Sequence, residues 1–174
     1  MSVSLSQCIE EGNTTALRAL LERYKNKREK LDLEEPDIYG NTPLLKACYL
    51  AKLEHVELLL RYGASLKSIN YLGQNALTIA TYAGSLEIVR LLLSFRSYSD
   101  FNKSSIVPAL CVACLRQNKT LIEYFKRFPS TEEEVKTAHG LSPAQISEWV
   151  EIYNRSRAES RGPPAANGSA YRMR

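Results

Sequence analysis

Two cysteines near the middle of the chain have the spacing that most directly suggests chemistry. Cys111 and Cys114 form a C-x-x-C motif, in which one thiol can be activated for redox work or both can supply half of a zinc site. A zinc site needs two more ligands, and the two histidines, the other two cysteines and the carboxylates lie at no recognised spacing from this pair. We therefore predict that all four cysteines are structural, with a redox or metal role for this pair as the alternative.

No other grouping in the sequence favours catalysis. The motifs typical of phosphate-binding loops, dinucleotide-binding folds, zinc proteases and serine hydrolases are absent. The acidic run at 132–134 is typical of a solvated helix start, where carboxylates favour the positive end of the helix dipole. The sequence thus predicts no catalytic residue, no metal site and no cofactor, and a small enzyme is the least favoured class.

Composition and charge are those of an ordinary folded protein. The 174 residues are 44% hydrophobic and 24% charged, and 23 Lys and Arg against 19 Asp and Glu leave a net charge of +4. This charge is too small to require a nucleic-acid partner. The sequence has no apolar run long enough to span a membrane and no signal-peptide pattern. We expect no membrane insertion and a cytoplasmic and/or nuclear location.

An internal repeat with a period of 33 residues determines which helices and turns position these side chains. Residues 37–48 read DIYGNTPLLKAC, and residues 54–64 read EHVELLLRYGA. Much of this pattern returns one period later, and its apolar positions return again after a further period. The matched pairs include Gly40 and Gly73, Leu44 and Leu77, Ala47 and Ala80, and Val56 and Val89.

The pattern resembles the ankyrin repeat, a β-turn followed by two antiparallel helices. The motif D-x-x-G-x-T-P-L, a pair of small residues and V-x-x-L-L-L carry the resemblance, most fully at 37–66. The third unit keeps only the apolar positions, since Ile106 replaces the turn glycine and Gln117 stands where the second unit has Gly84. Because isoleucine tolerates positive φ poorly, the third turn is not expected to repeat the geometry of the first two.

The resemblance implies an all-α ankyrin-repeat solenoid of about four units with a C-terminal capping helix. The first unit is an N-terminal cap followed by an enlarged charged loop, and the last stretch of chain lacks any apolar period and is expected to be disordered. The predicted ranges are 1–154 for the domain, with units at about 3–36, 37–69, 70–102 and 103–138 and the capping helix at 139–154, and 155–174 for the tail.

Prolines that follow a hydroxyl residue predict where helices begin. Thr42 and Pro43 fit the N-cap and first residue of a helix, and Ser142 and Pro143 repeat the pattern at the capping helix. The apolar stripe predicted for that helix comprises Ile146, Trp149, Val150 and Tyr153.

Within the repeat, the residues that could do chemistry fall at positions that pack the fold. Cys114 falls two periods after Cys48, at a small and packed position. His55 falls where later units have Ile88 and Leu121, which predicts a partly buried side chain rather than a catalytic base. The register therefore favours a structural role for both types of residue.

Family resemblance places partner contacts on the turn tips and on the exposed face of the first helix of each unit, which together line a concave surface. Tyr49 and Tyr82 stand one period apart, and Tyr39 and Tyr71 lie at adjacent turn positions, so the four form a candidate aromatic ladder. The alternative is that these rings only cover the edge of the core. The predicted partner-binding residues are Ile38, Tyr39, Asn41, Tyr49, Leu50, Tyr71, Leu72, Gln74, Tyr82, Leu115 and Arg116.

The function predicted on these grounds is a non-enzymatic protein–protein interaction module, an adaptor, scaffold or inhibitor, that binds a partner protein on its concave face. A nucleic-acid-associated or nuclear regulatory factor is the alternative, because basic residues cluster at 23–30 and in 155–174. Acidic residues follow the first cluster at once, which favours a solvated helix end. A monomer is expected, with self-association through the weaker C-terminal units as a further alternative.

Overall fold

The computed structural model describes residues 4–26, 31–129 and 135–160, and within these ranges the chain forms ten α-helices and one isolated β-bridge. Among the described helices, none is both long and apolar enough to cross a membrane. The helices are α1 (Leu5–Glu11), α2 (Thr14–Lys25), α3 (Pro43–Tyr49), α4 (Leu53–Arg61), α5 (Ala76–Ala83), α6 (Leu86–Phe95), α7 (Tyr98–Lys103), α8 (Ala109–Leu115), α9 (Lys119–Phe125) and α10 (Pro143–Ser160).

The helices stack in two layers. In the first layer α1 packs against α3, α3 against α5, α5 against α8 and α8 against α10, and in the second layer α2 packs against α4 and α4 against α6. Four helix pairs join the layers, namely α1 with α2, α3 with α4, α5 with α6, and α8 with α9. Each pair buries its apolar face against its neighbours, so the described residues form the predicted all-α solenoid, with α10 as an additional first-layer helix.

The first-layer helices α1, α3, α5 and α10 begin at a side-chain N-cap, whereas α8 begins after Pro108 without one. The Thr42 hydroxyl accepts a hydrogen bond from the Leu45 amide (3.4 Å), which confirms the predicted start of α3. At α10 the Ser142 hydroxyl accepts from the Gln145 amide (3.3 Å), and the Gln145 side chain accepts from the Ser142 amide (2.9 Å). Residues at the same distance from these caps are therefore equivalent along the stack. The seventh residue after the cap is Tyr49 in α3, Tyr82 in α5, Leu115 in α8 and Trp149 in α10.

A residue in the left-handed region connects the two helices of each pair. Gly12 and Gly84 have φ of 68° and 80°, as glycine allows. Ala51 and Gln117 adopt the same conformation with φ of 52° and 53°, although a side chain there costs about 1–2 kcal/mol. Gln117 thus takes over the backbone role of Gly84, and packing of the helices on both sides enforces it.

The turns between units are joined to one another by backbone hydrogen bonds. The Tyr71 amide donates to the Tyr39 carbonyl (3.1 Å), and the Ile106 amide donates to the Gly73 carbonyl (3.2 Å). Ile106 avoids positive φ, so the third turn departs from the first two as predicted. The glycine turn returns at Gly140, where φ is 77°.

The structure differs from the predicted organisation in two places. The short helix α7 was not predicted, and its Tyr98 and Phe101 side chains are buried, with the Tyr98 ring 5.2 Å from that of Phe125. The helix α10 continues to Ser160, so residues 155–160, assigned to the tail, are helical. Those residues keep an uninterrupted run without glycine or proline, which allows the helix to continue. Residues 161–174, like 27–30 and 130–134, lie outside the described ranges.

Candidate interaction surface

The turn tips present four large exposed side chains. Ile38, Tyr39, Tyr71 and Leu72 are 83%, 64%, 75% and 67% exposed. The Asp37 carboxylate holds the first turn, because it accepts hydrogen bonds from the Tyr39 and Asn41 amides (2.9 Å each). Burial opposes the charge on Asp37, but these hydrogen bonds outweigh it and lower the pKa of the carboxyl.

An asparagine holds the second turn in the same way. The Asn70 side-chain oxygen accepts from the Leu72 and Gln74 amides (3.0 Å each). Its amide group donates to the side-chain oxygens of Asn41 and Gln74 (3.0 Å each), which links the two turns. Asn41 and Gln74 are half-buried and engaged within the turns, and their contact with a partner stays a prediction.

The first-layer helices carry a second line of exposed side chains, which we call the helix row: Tyr49, Tyr82, Leu115 and Trp149. Their exposed fractions are 58%, 41%, 56% and 60%. The Tyr49 and Tyr82 rings stack, with centroids 6.5 Å apart and planes 12° apart, as their one-period spacing predicts. An aromatic pair of this kind contributes about 0.5–1.5 kcal/mol beyond the area it buries.

Arg116 extends the stack into the next unit. Its guanidinium carbon lies 4.7 Å from the centroid of the Tyr82 ring, within range of a cation–π interaction. The stack therefore runs from Tyr49 through Tyr82 to Arg116, three side chains from three successive units. Leu50 is half-buried beside Tyr49 in the chain. Sequence reasoning predicted an aromatic ladder that includes Tyr49 and Tyr82 but did not foresee that Arg116 would join it.

Trp149 is the member of this row that sequence reasoning missed. It was assigned to a single apolar stripe of the capping helix, and the structure divides that stripe. Ile146 is buried and Val150 packs partly buried beside it, whereas Trp149 and Tyr153 are 60% and 59% exposed. The signal that could have found Trp149 was its distance from the Ser142 cap, which equals the distance of Tyr49 from Thr42.

The cysteines lie inside the solenoid. All four are buried free thiols, and burial raises the pKa of Cys48 to about 12. Burial, with Cys114 nearby, raises the pKa of Cys111 to about 12. The Cys111 thiol donates to the Val135 carbonyl (3.0 Å). Thiols held protonated in this way favour the structural interpretation, and no group of three or more potential metal ligands occurs in the described ranges.

His55 is more deeply buried than the sequence predicted. Its side chain is only 2% exposed, because its position is a core position that Ile88 and Leu121 fill in later units. The Nε2 atom lies 3.1 Å from the Thr14 hydroxyl of the preceding pair, and Nδ1 has no hydrogen-bond partner. Burial lowers the pKa of His55, and the nearby Lys52 lowers it further. The imidazole is therefore kept neutral and fills space between α2 and α4.

Helix pairs joined by hydrogen-bonded glycine turns define a repeat protein of the α-solenoid class. The family model described as ankyrin repeats in three copies matches residues 5–105, more than half of the chain. The chain therefore belongs to the ankyrin-repeat family. The pair formed by α8 and α9 lies beyond the matched residues and adds a fourth pair to the three copies.

The chain is also similar to curated proteins with regulatory names. A Drosophila melanogaster protein named "DNA replication inhibitor plutonium" is 42% identical over 164 residues, which cover 93% of this chain and 94% of that protein. A Xenopus tropicalis protein named "Notch-regulated ankyrin repeat-containing protein" is 32% identical over 97 residues, covering 56% of this chain and 83% of its own length. The Homo sapiens protein of the same name is 31% identical over 93 residues, covering 53% and 80%.

The family assignment carries a general function. Ankyrin repeats are protein-interaction modules, and one of the relatives is named as an inhibitor. The described residues fit such a module, since their exposed aromatic side chains stand on a framework of packed helices.

Proposed function

We propose that this protein is a non-enzymatic regulator that binds a partner protein on the concave face formed by the turn tips and the helix row. Tyr39, Tyr49, Tyr71 and Tyr82 are the proposed anchors. The framework under them is preformed, so little conformational entropy is lost on the receptor side when a partner binds.

The stacked pair of Tyr49 and Tyr82 is the observation that carries this proposal. Each ring is about half exposed, yet each is held by its stacking partner and by a capped helix. Tyrosines that combine exposure with restricted motion supply contact area at low entropic cost and are enriched among residues that dominate binding energy. A ring that only covered the core edge would be largely buried, as Tyr98 is at 4% exposed.

We further propose that the bound partner acts in the control of DNA replication, which implies a nuclear location. The support is the similarity over nearly the whole chain to the Drosophila protein named as a DNA replication inhibitor. Occlusion of a partner surface is sufficient for inhibition, and no catalysis by this chain is required.

The test compares partner capture by the full chain and by variants. The double change Tyr49→Ala and Tyr82→Ala removes both stacked rings, and Phe95→Ala is the matched control, since Phe95 ends a second-layer helix and is 59% exposed. Loss of an anchor costs about 2 kcal/mol or more, which corresponds to roughly a 30-fold loss of affinity. Tagged proteins are incubated with nuclear extract, and the retained proteins are identified by mass spectrometry.

We expect one discrete protein to be retained by the wild type and by Phe95→Ala and to be lost from the double variant. Circular dichroism must show equal helix content in all three. Retention by the double variant would refute the assignment to the concave face. The replication role is tested separately by adding each protein to a replicating cell-free extract, where wild-type protein should lower DNA synthesis and the double variant should not. Unchanged synthesis with wild-type protein would refute that role alone.

The nucleic-acid alternative makes a different prediction in the same experiment. Binding through the basic segments 23–30 and 155–174 would bring nucleic acid into the eluate and would weaken steeply with salt. It would also survive the loss of Tyr49 and Tyr82. Only 23–26 and 155–160 of these segments lie within the described ranges. Light scattering at several concentrations separates a monomer from self-association.

A further inference from the structure

Arg116 is a cation that lies over an aromatic ring and whose N–H donors have no partner within the described residues. Its guanidinium lies over Tyr82 at 4.7 Å, and among the described residues its side chain makes no hydrogen bond or ion pair. Two other cations are engaged: Lys46 pairs with Glu10, and Arg96 donates to the Leu66 and Asp100 carbonyls. The free edge of Arg116 therefore distinguishes it from those cations.

The first-layer helices next to Arg116 carry exposed aromatic and aliphatic side chains. Tyr82 lies beneath it, and Leu115, its neighbour in the chain, is 56% exposed. Trp149 occupies the position of Leu115 on the next first-layer helix and is 60% exposed. Further along α10, Ile152 and Tyr153 are 55% and 59% exposed. The N–H donors of Arg116 thus lie over Tyr82 of α5, and exposed apolar side chains occur on α8 itself and on the adjoining α10.

A planar guanidinium with a free edge matches a carboxylate, to which it donates two parallel hydrogen bonds. Stacking on Tyr82 restricts the orientation of the fork before a ligand arrives, so less entropy is lost when the pair forms. A nucleic-acid phosphate backbone is a poorer match, because it requires several cations along the face, whereas Arg116 lies beside a helix row of uncharged side chains.

We infer that the helix row binds a segment of the partner protein that carries an aspartate or glutamate flanked by apolar side chains. The carboxylate accepts from Arg116, one flanking side chain contacts Tyr82, and the other contacts Leu115 and Trp149. This inference rests on the proposed function and adds the chemistry of the segment that is recognised. It also extends the partner-binding face onto α10, beyond the predicted residues.

A random peptide library displayed on phage is the probe, selected on the immobilised full chain. Enriched peptides should carry an acidic residue within one or two positions of aliphatic or aromatic residues. An Arg116→Glu protein should select peptides with Lys or Arg at that place. Arg90→Glu is the matched control, because the Arg90 guanidinium also lies over a tyrosine, Tyr124 at 5.5 Å, but in the second layer.

Affinity for the best selected peptide is then measured by the fluorescence of Trp149, the single tryptophan of the chain. Peptide that covers the helix row should shift the Trp149 emission to shorter wavelength. Arg116→Ala should weaken binding about tenfold and Arg116→Lys roughly threefold, since lysine keeps the charge but loses the planar fork. A peptide in which the acid is replaced by its amide should bind wild type as weakly as the acidic peptide binds Arg116→Ala.

Several results would overturn this inference. In the phage selection, these are peptides with no acidic preference, no enrichment above the blank matrix, or an acidic preference that Arg116→Glu leaves unchanged. In a binding assay, the contrary result is Arg116-dependent binding of a fluorescent DNA duplex in place of peptide. The proposed function fails differently, by partner capture that persists without Tyr49 and Tyr82. Capture that is lost with the two tyrosines but insensitive to Arg116→Glu would leave the proposed function standing and refute the acidic segment.

Discussion

Substitution of alanine for Gly40 tests whether contact between successive turns stabilises the solenoid. Gly40 has φ of 78°, where a side chain costs about 1–2 kcal/mol. An added Cβ would also lie 2.6 Å from Tyr71 Cδ1 and 2.8 Å from the Tyr71 amide nitrogen. That nitrogen donates to the Tyr39 carbonyl, so relief of the overlap must move the second turn and weaken this bond, at a cost of about 1 kcal/mol.

Gly63 supplies the matched control. Its φ is 94°, and an added Cβ would meet no atom within 4 Å. Gly63→Ala should therefore cost about 1 kcal/mol, from backbone conformation alone, whereas Gly40→Ala should cost about 2 kcal/mol. The effect of alanine on the unfolded chain is common to both and cancels in the difference.

The assay is urea denaturation of wild type and both variants, followed by far-ultraviolet circular dichroism. The free energy of unfolding of Gly40→Ala should lie about 1 kcal/mol below that of Gly63→Ala. Equal losses in the two variants would refute the reasoning, because they would show that the contact between Gly40 and the turn at Tyr71 contributes nothing to stability.

Three further predictions follow from buried polar groups. Asn75→Ala should cost about 2 kcal/mol or more in urea denaturation, against about 1 kcal/mol for Thr42→Ala, because Asn75 caps α5 and also donates to the Phe101 carbonyl (2.6 Å); equal costs would contradict this. Burial lowers the pKa of His55 from 6.5, so the unfolded chain binds more protons than the folded chain does. The contribution of neutral His55 to the free energy of unfolding should therefore be complete above about pH 6.5 and should be lost as the pH falls towards the folded pKa. His55→Leu should remove that part of the pH dependence, and an unchanged profile would argue against it. Iodoacetamide at neutral pH should leave Cys48 and Cys111 unmodified by mass spectrometry until urea is added, since burial raises the pKa of each to about 12; rapid labelling in native buffer would contradict it.

The helical repeat and the starts of its helices could be predicted because they depend on local patterns. A hydroxyl residue before proline specifies an N-cap, as at Thr42 and Ser142, and both caps form in the structure. A glycine at a fixed place in the period specifies a left-handed turn, as at Gly40 and Gly73. The stacking of Tyr49 on Tyr82 follows from the period itself, because equal spacing brings equivalent positions of adjacent helices together.

Other features depend on side chains that are far apart in the sequence. His55 is buried because α2 and α4 meet around it, and Arg116 lies on Tyr82 because α8 packs on α5. The stripe of α10 is divided because α8 covers only the side that bears Ile146 and leaves Trp149 exposed. No local pattern of residues records which side of a helix its neighbour covers.

The amino-acid sequence by itself therefore determined the family, the period and the positions of the helix caps, since each depends on residues within one unit. The tertiary structure decided which of the exposed aromatic and charged side chains share one face and which groups are buried. The physical reason is that burial and stacking are properties of the packed interface between units, and a guanidinium such as that of Arg116 becomes a candidate ligand-binding group only when a ring from another unit holds it in place.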